Sequence, residues 1–194
     1  HMATPDTGTT PNMGANDGAN LLPLTDADFR DYRPSVQLAM ALFNHELAYE
    51  KEGPHDSHLK WLGVEKPVQL AKPLTSRNFP HGGYSILRQN QWTAFFIYPR
   101  YRFRPGHCDA LHLDLWYGSQ NILTDAGSYS YNTEVQWEKY FPGTEAHNTV
   151  MFDHRDQMPA VGRFLRGSWL STQDATFDKN EGQQKVAAGY TDWQ

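Results

Sequence analysis

Three short runs carry side chains that could do chemistry together: His107 and Asp109 in GHCD, Asp125 in LTDAG, and His147 in AHNT. Two neutral imidazoles and one carboxylate, with a fourth position open, form a ligand set that zinc takes at catalytic sites. The intervals between them are long and irregular, unlike a compact HExxH helix, so spacing alone says little. Histidines scattered along strands are more often surface or satisfied core residues than ligands.

Strands would have to position these groups. Leu111, Leu113 and Leu115 alternate with His112 and Asp114, a period of two that predicts a strand with the leucines on one face and the polar pair on the other. Gly118 and Gly127 mark the turns or bulges that end such runs. Strands are predicted over 83–89, 92–98, 110–116, 121–125 and 149–153, with later ones over 162–171 and 185–189. Short strands separated by glycine turns indicate an antiparallel sandwich.

Upstream, residues 1–20 are rich in Thr, Pro, Gly, Asn and Asp and read as a loop segment. A helix is predicted from Pro34 to about Tyr49, since proline suits the first helical turn. Val36, Met40, Phe43 and Leu47 would then form its apolar stripe. Asp56 is placed to cap a second helix that Gly63 closes. His45, His55 and His58 read as solvent-facing, and 64–79 as an extended linker. The fold expected is mainly β: a partial antiparallel β-sandwich over 64–194, preceded by a short α-helical segment over 21–63.

Composition excludes some classes. The chain has 194 residues, 39% hydrophobic and 20% charged, which suits a globular protein. Its net charge of −5 gives no sign of a nucleic-acid or acidic-lipid surface. An acidic polysaccharide would need a local basic patch, which Arg88, Arg100, Arg102 and Arg104 could supply, although a solvated strand face is the default reading. Cys108 is the single cysteine, so no disulfide framework exists. No apolar run approaches the ~20 residues that span a bilayer. His1 and Met2 look like a cloning scar.

The block from Arg104 to Asp153 resembles the C-terminal β-domain of the heparinase II/III family of polysaccharide lyases. The resemblance rests on GHCDALHLDLW, on ILTDAGSYSYN, and on W-x-K-YF-x-x-T-x-AHNTV-x-x-D with Asp156 and Gln157 following. PNMGANDGANLLPL followed by DYRP resembles the end of that family's helical toroid. Together these cover most of the chain from Pro11 to Leu170. The resemblance implies β-elimination on uronic-acid-containing glycans, with an acidic polysaccharide as partner. It implies metal ligands at His107, Asp125 and His147, with Zn2+ as the cofactor; Ca2+ fits less well, because imidazole is a poor partner for a hard cation. Asp109 would stand behind His107. Tyr129 and Tyr131 would bring catalytic hydroxyls to the cleft, and Asn16, Arg104, Asn148 and Gln157 would face substrate.

Two departures stand against this pattern: Met13 where many relatives carry tyrosine, and Pro105 where a histidine would stand two residues before His107. They suit an alternative, a non-catalytic glycan-binding or biosynthesis-associated module of the same fold. A cupin-like metalloenzyme also has GHxD on a strand, but AHNTV argues against it. By family analogy the protein is expected in the periplasm or secreted. The chain itself reads as an excised fragment, inactive alone and open to homodimerisation through unpaired sheet edges.

Overall fold

The computed structural model describes residues 1–15, 23–180 and 182–191. The chain forms two compact units, one from residues 1–10 and 23–74, the other from 11–15 and 75–191.

The first unit is helical. Helix α1 (Arg33–Asn44) carries Pro34 in its first turn, and the chain turns left-handed at His45 (φ 56°). The helix is therefore shorter than predicted. Leu47 lies beyond it and makes a parallel bridge to Leu70, within the stretch expected to be a linker. The predicted stripe is also displaced. Phe43 is 81% exposed, while Gln37, Pro34 and Ala41 are buried. Gln37 goes inside because every polar atom of its amide finds a partner. Its Nε2 donates to Asp56 Oδ1 at 3.0 Å, and its Oε1 accepts from the Ala48 and Tyr49 amides. Asp56 does not cap α2 (Ser57–Leu62) through its side chain. Its carboxylate instead serves Gln37, the Gly53 amide and Lys66, the last at 2.9 Å. Gly63 closes α2 in the left-handed conformation, as predicted. His55 is buried, not solvent-facing, and its Nε2 pairs with the Lys51 carbonyl at 2.8 Å.

The second unit is built from antiparallel sheets with few short helices, so the mainly β reading holds. A five-stranded meander runs in chain order: β1 (Arg77–Phe79), β2 (Tyr84–Gln89), β3 (Trp92–Ile97), β4 (Leu113–Tyr117) and β5 (Gln120–Leu123). A short ribbon pairs β6 (Ala160–Gly162) with β7 (Leu165–Arg166), and a longer one pairs β8 (Ser171–Asn180) with β9 (Gln183–Thr191). One strand was thus predicted over 162–171 where two short ones form, and β8 was not anticipated. Polar and charged residues dominate its STQDATFDKN run, which masks any alternation. The strand predicted over 149–153 does not form; only an isolated bridge joins Phe152 to Arg155. Cys108, Ala110, Met158 and Leu170 make a small apolar core with Tyr101 and Tyr190 packed on it. Among the described residues, no helix is long and apolar enough to cross a membrane.

Strand β4 keeps the expected alternation, with the polar side inward. His112, Asp114 and Trp116 are buried, and Leu113 and Leu115 are only half-buried. The side that carries His112 and Asp114 is the buried one, against what hydropathy alone would favour. Polar groups tolerate burial when they bond to one another. Here Asp114 accepts from the Trp116 indole N–H and from Asn121 Nδ2.

Candidate functional site

The loops around β4 and β5 bring the three separate motifs to one point. His107 lies in the long connection between β3 and β4. Its neighbours are pinned from two sides: the Cys108 amide donates to the Pro142 carbonyl, and the Ala110 amide to Gln157 Oε1. Asp125 follows β5, where the chain turns sharply at Gly127 (φ 69°). Gly127 donates its amide to Asp125 Oδ1 at 2.6 Å, and a Cβ at Gly127 would run into the Asn12 amide. Both its conformation and the close approach therefore call for glycine. His147 leaves a 3-10 turn (Thr144–Ala146) that follows helix α3 (Val135–Tyr140). Asp156 braces that turn by accepting from the Thr144 amide at 2.8 Å.

His107, Asp125 and His147 are all buried and offer one ligand atom each, all within 4.8 Å of one another. His147 Nδ1 lies 2.7 Å from Asp125 Oδ2, and the rings of His107 and His147 stand 5.2 Å apart. Polar atoms are left over. His107 Nδ1 and His147 Nε2 are buried without a hydrogen-bond partner among the described residues, and His107 Nε2 has only Ser128 Oγ at 3.3 Å. Buried nitrogens without partners are costly unless something else satisfies them. An ion would do so, and the group can hold a metal.

The electrostatics suit that use. Burial, then the neighbouring His147, pushes the His107 imidazole down to about 4, so it is neutral with a free lone pair at neutral pH. Burial would raise the Asp125 carboxyl, but the bonds from His147 and Gly127 outweigh it and hold the group below its usual range, as a carboxylate. Cys108, next to His107, is pushed up to about 11 by burial and stays a thiol.

A cleft of about 510 Å³ adjoins the cluster, with His107, Asp109 and Tyr131 in its wall. Arg100, Arg102 and Arg104 also line it, and a second hollow of about 520 Å³ shares Arg100 and Arg102. Arg104 donates to the Phe164 carbonyl at 2.9 Å and lies over that ring. Arg88 sits elsewhere, on β2, bonded to Thr93, and does not join the patch.

The remaining predicted site residues are scattered around this centre. Tyr131 reaches the cleft edge-on to Phe164. Tyr129 is 69% exposed, stacks on Phe141 and does not line the cleft. Asp109 faces the cleft, where burial raises its carboxyl; among the described residues no hydrogen bond joins it to His107. Asn148 turns its side chain to the Thr124 carbonyl. Gln157 is buried with its amide bound to both peptide groups of Ala110, to Thr149 and to the Val150 carbonyl, leaving little to offer a ligand. Asn16 lies outside the described residues.

Sequence reasoning missed His112. This imidazole has no exposed surface, and its Nδ1 lies 3.4 Å from Asp125 Oδ2 and 3.1 Å from the Asn148 amide nitrogen. Its only signal is the alternation in ALHLDLW, which sets it with Asp114 on the face opposite the leucines.

Residues 71–193 match the family described as heparinase II/III-like, C-terminal. Among solved structures, the chain is similar to a heparinase III gene product with methylated lysines, at 16% identity and a TM-score of 0.61. That match covers 96% of this chain and 26% of the other. It is also similar to the heparan sulfate lyase HepC from Pedobacter heparinus, at 15% identity and a TM-score of 0.57, covering 98% and 26%. The chain thus spans about a quarter of the length of these structures, which share its fold. No curated protein sequence matches it.

Proposed function

The chain belongs to the heparinase II/III-like C-terminal family, and from that premise we propose that it is the β-domain of a lyase that cleaves uronic-acid-containing glycans by β-elimination. The observation that carries this reading is the cleft wall, where three arginines surround His107 and Tyr131 in a chain whose total charge is negative. Neither Arg100 nor Arg102 makes an ion pair among the described residues, so both guanidinium groups are available to an anion.

The chemistry asks for such a wall. A base removes the C5 proton of the uronate, the C4–oxygen bond breaks, its electrons leave with the oxygen, and that oxygen takes up a proton. The electron pair of the C5–H bond becomes the C4=C5 double bond. Negative charge grows on the uronate carboxylate along the way, and fixed guanidinium groups beside it would lower the barrier. Tyr131 is the hydroxyl of this chain proposed to exchange protons there. Tyr129, outside the cleft, would act by packing α3 through Phe141. A zinc ion on His107, Asp125 and His147 would supply positive charge and a fixed cleft wall, with no water to activate in an elimination. The heteroatoms and their lone pairs support that assignment.

The test combines binding with ultraviolet absorbance. A uronate-containing oligosaccharide is expected to bind the 194-residue chain, with affinity that falls as salt rises and drops about tenfold in Arg100→Ala/Arg102→Ala. Protein that also carries the helical domain expected before this segment should generate the absorbance of the new C4=C5 bond. Binding with no absorbance from that longer protein would favour the non-catalytic glycan-binding reading. Absence of binding to the chain would overturn the proposal.

A further inference from the structure

The geometry points to His112 as the positioning residue for the His147 imidazole, a role that rests on the metal reading of the site. His112 stands at the entry to β4, where its own carbonyl accepts from the Ile97 amide and its amide donates to the Asp109 carbonyl. Its backbone is therefore anchored to the five-stranded sheet. Its side chain reaches the other way. The Nδ1 atom accepts the Asn148 amide at 3.1 Å, while the Asn148 carbonyl accepts the Leu113 amide at 3.0 Å. The residue after His147 is thus gripped at both its amide and its carbonyl by two consecutive residues of the sheet.

The grip extends to the other ligands. Asn148 Nδ2 holds the Thr124 carbonyl at 3.1 Å, next to Asp125, and Asp125 holds His147. The His112 ring stands edge-on to that of His147, with centroids 5.9 Å apart and planes at 87°, and so blocks rotation of the imidazole. His112 is not itself a fourth ligand. Its Nδ1 has the Asn148 hydrogen, and its Nε2 points toward Asp114, 4.0 Å away. A nitrogen that accepts an amide hydrogen has its lone pair committed and offers none to a metal.

Outer partners of this kind are worth about 10–100-fold in metal affinity. Two variants of similar size separate the hydrogen bond from simple packing. In His112→Asn, Oδ1 takes the place of Nδ1 and can still accept from Asn148. In His112→Gln, the amide falls at the place of Nε2 and that acceptor is gone. The measurements are Co2+ titration of the full 194-residue chain, followed by its visible spectrum, and hydrogen exchange of the Asn148 amide in the metal-free protein.

His112→Gln is expected to weaken Co2+ binding by about 10–100-fold and to speed Asn148 exchange, with His112→Asn near wild type in both. Equal affinity in the Gln variant and wild type overturns the role, as does an Asn variant as weak as Gln. His107→Ala serves as the control for the site itself. A wild-type chain that takes up no Co2+, or that keeps it in His107→Ala, sinks the metal reading and the His112 role with it.

Discussion

Each unit buries a small polar cluster, and the two differ in what they leave over. Around Gln37 every group is matched: the amide serves Asp56 and the Ala48 and Tyr49 peptides, and Asp56 completes itself with Gly53 and Lys66. Around Asp125 the carboxylate is equally well served, but His107 Nδ1 and His147 Nε2 have no partner among the described residues. A saturated network fastens structure. One that leaves imidazole nitrogens without partners keeps capacity for a cation, and it accepts an energetic cost to do so.

Removing a nitrogen from the unsaturated cluster should break this contrast most visibly. His107→Ala or His147→Ala is expected to lower metal affinity by more than the ~100-fold that an outer partner can be worth. Gln37→Leu should leave it unchanged. Mass spectrometry of the native protein, or a zinc titration, reads both.

Acid should act next most strongly, and on the same cluster. His107 is held down to about 4, below the ~6.5 of an unfolded histidine. Folding therefore favours its neutral form. That contribution is complete above pH ~6.5 and is lost as pH falls through about 4, for a total of about 3 kcal/mol. Asp125, also held low, loses its share in the same direction at still lower pH. Urea unfolding of metal-free protein across this range should show the decline, and His107→Leu should flatten its upper part. An unchanged slope in that variant would assign the decline to other groups.

Smaller effects sharpen the comparison. Gln37→Leu strands two amides and a carboxylate oxygen, and should cost about 2 kcal/mol in urea unfolding. Metal-free His107→Leu gives up one weak contact to Ser128 and a buried unpaired nitrogen, so its stability should stay within ~1 kcal/mol of wild type. If the second loss equals the first, the two clusters are both fasteners and the contrast fails.

Much of the β-region was legible because its strands are short and bounded by Gly, Asn and turn pairs, as at Gly83, Asn90 and Gly118. The convergence of His107, Asp125 and His147 was legible only through resemblance, since 18 and 22 residues separate successive members. What stayed hidden shares one physical cause. Gln37, His112 and Asp114 are polar residues buried through mutual hydrogen bonds, and hydropathy sends such residues outward. Phe43 is the converse error, a large apolar side chain left at the surface.

Gln157 carries a consequence for how this region can vary. A primary amide has a carbonyl and N–H bonds, as a peptide group does, and Gln157 uses them on Ala110 as a neighbouring strand would. One side chain stands in for a ladder along 149–153. Ladder pairing transmits a one-residue shift to every position beyond it, whereas a single anchor transmits nothing. The exposed stretch Phe152–His154 therefore forms a loop whose length is uncoupled from the site. Insertions there should be absorbed locally, leaving His147 in place and letting related chains reshape this surface without rebuilding the centre.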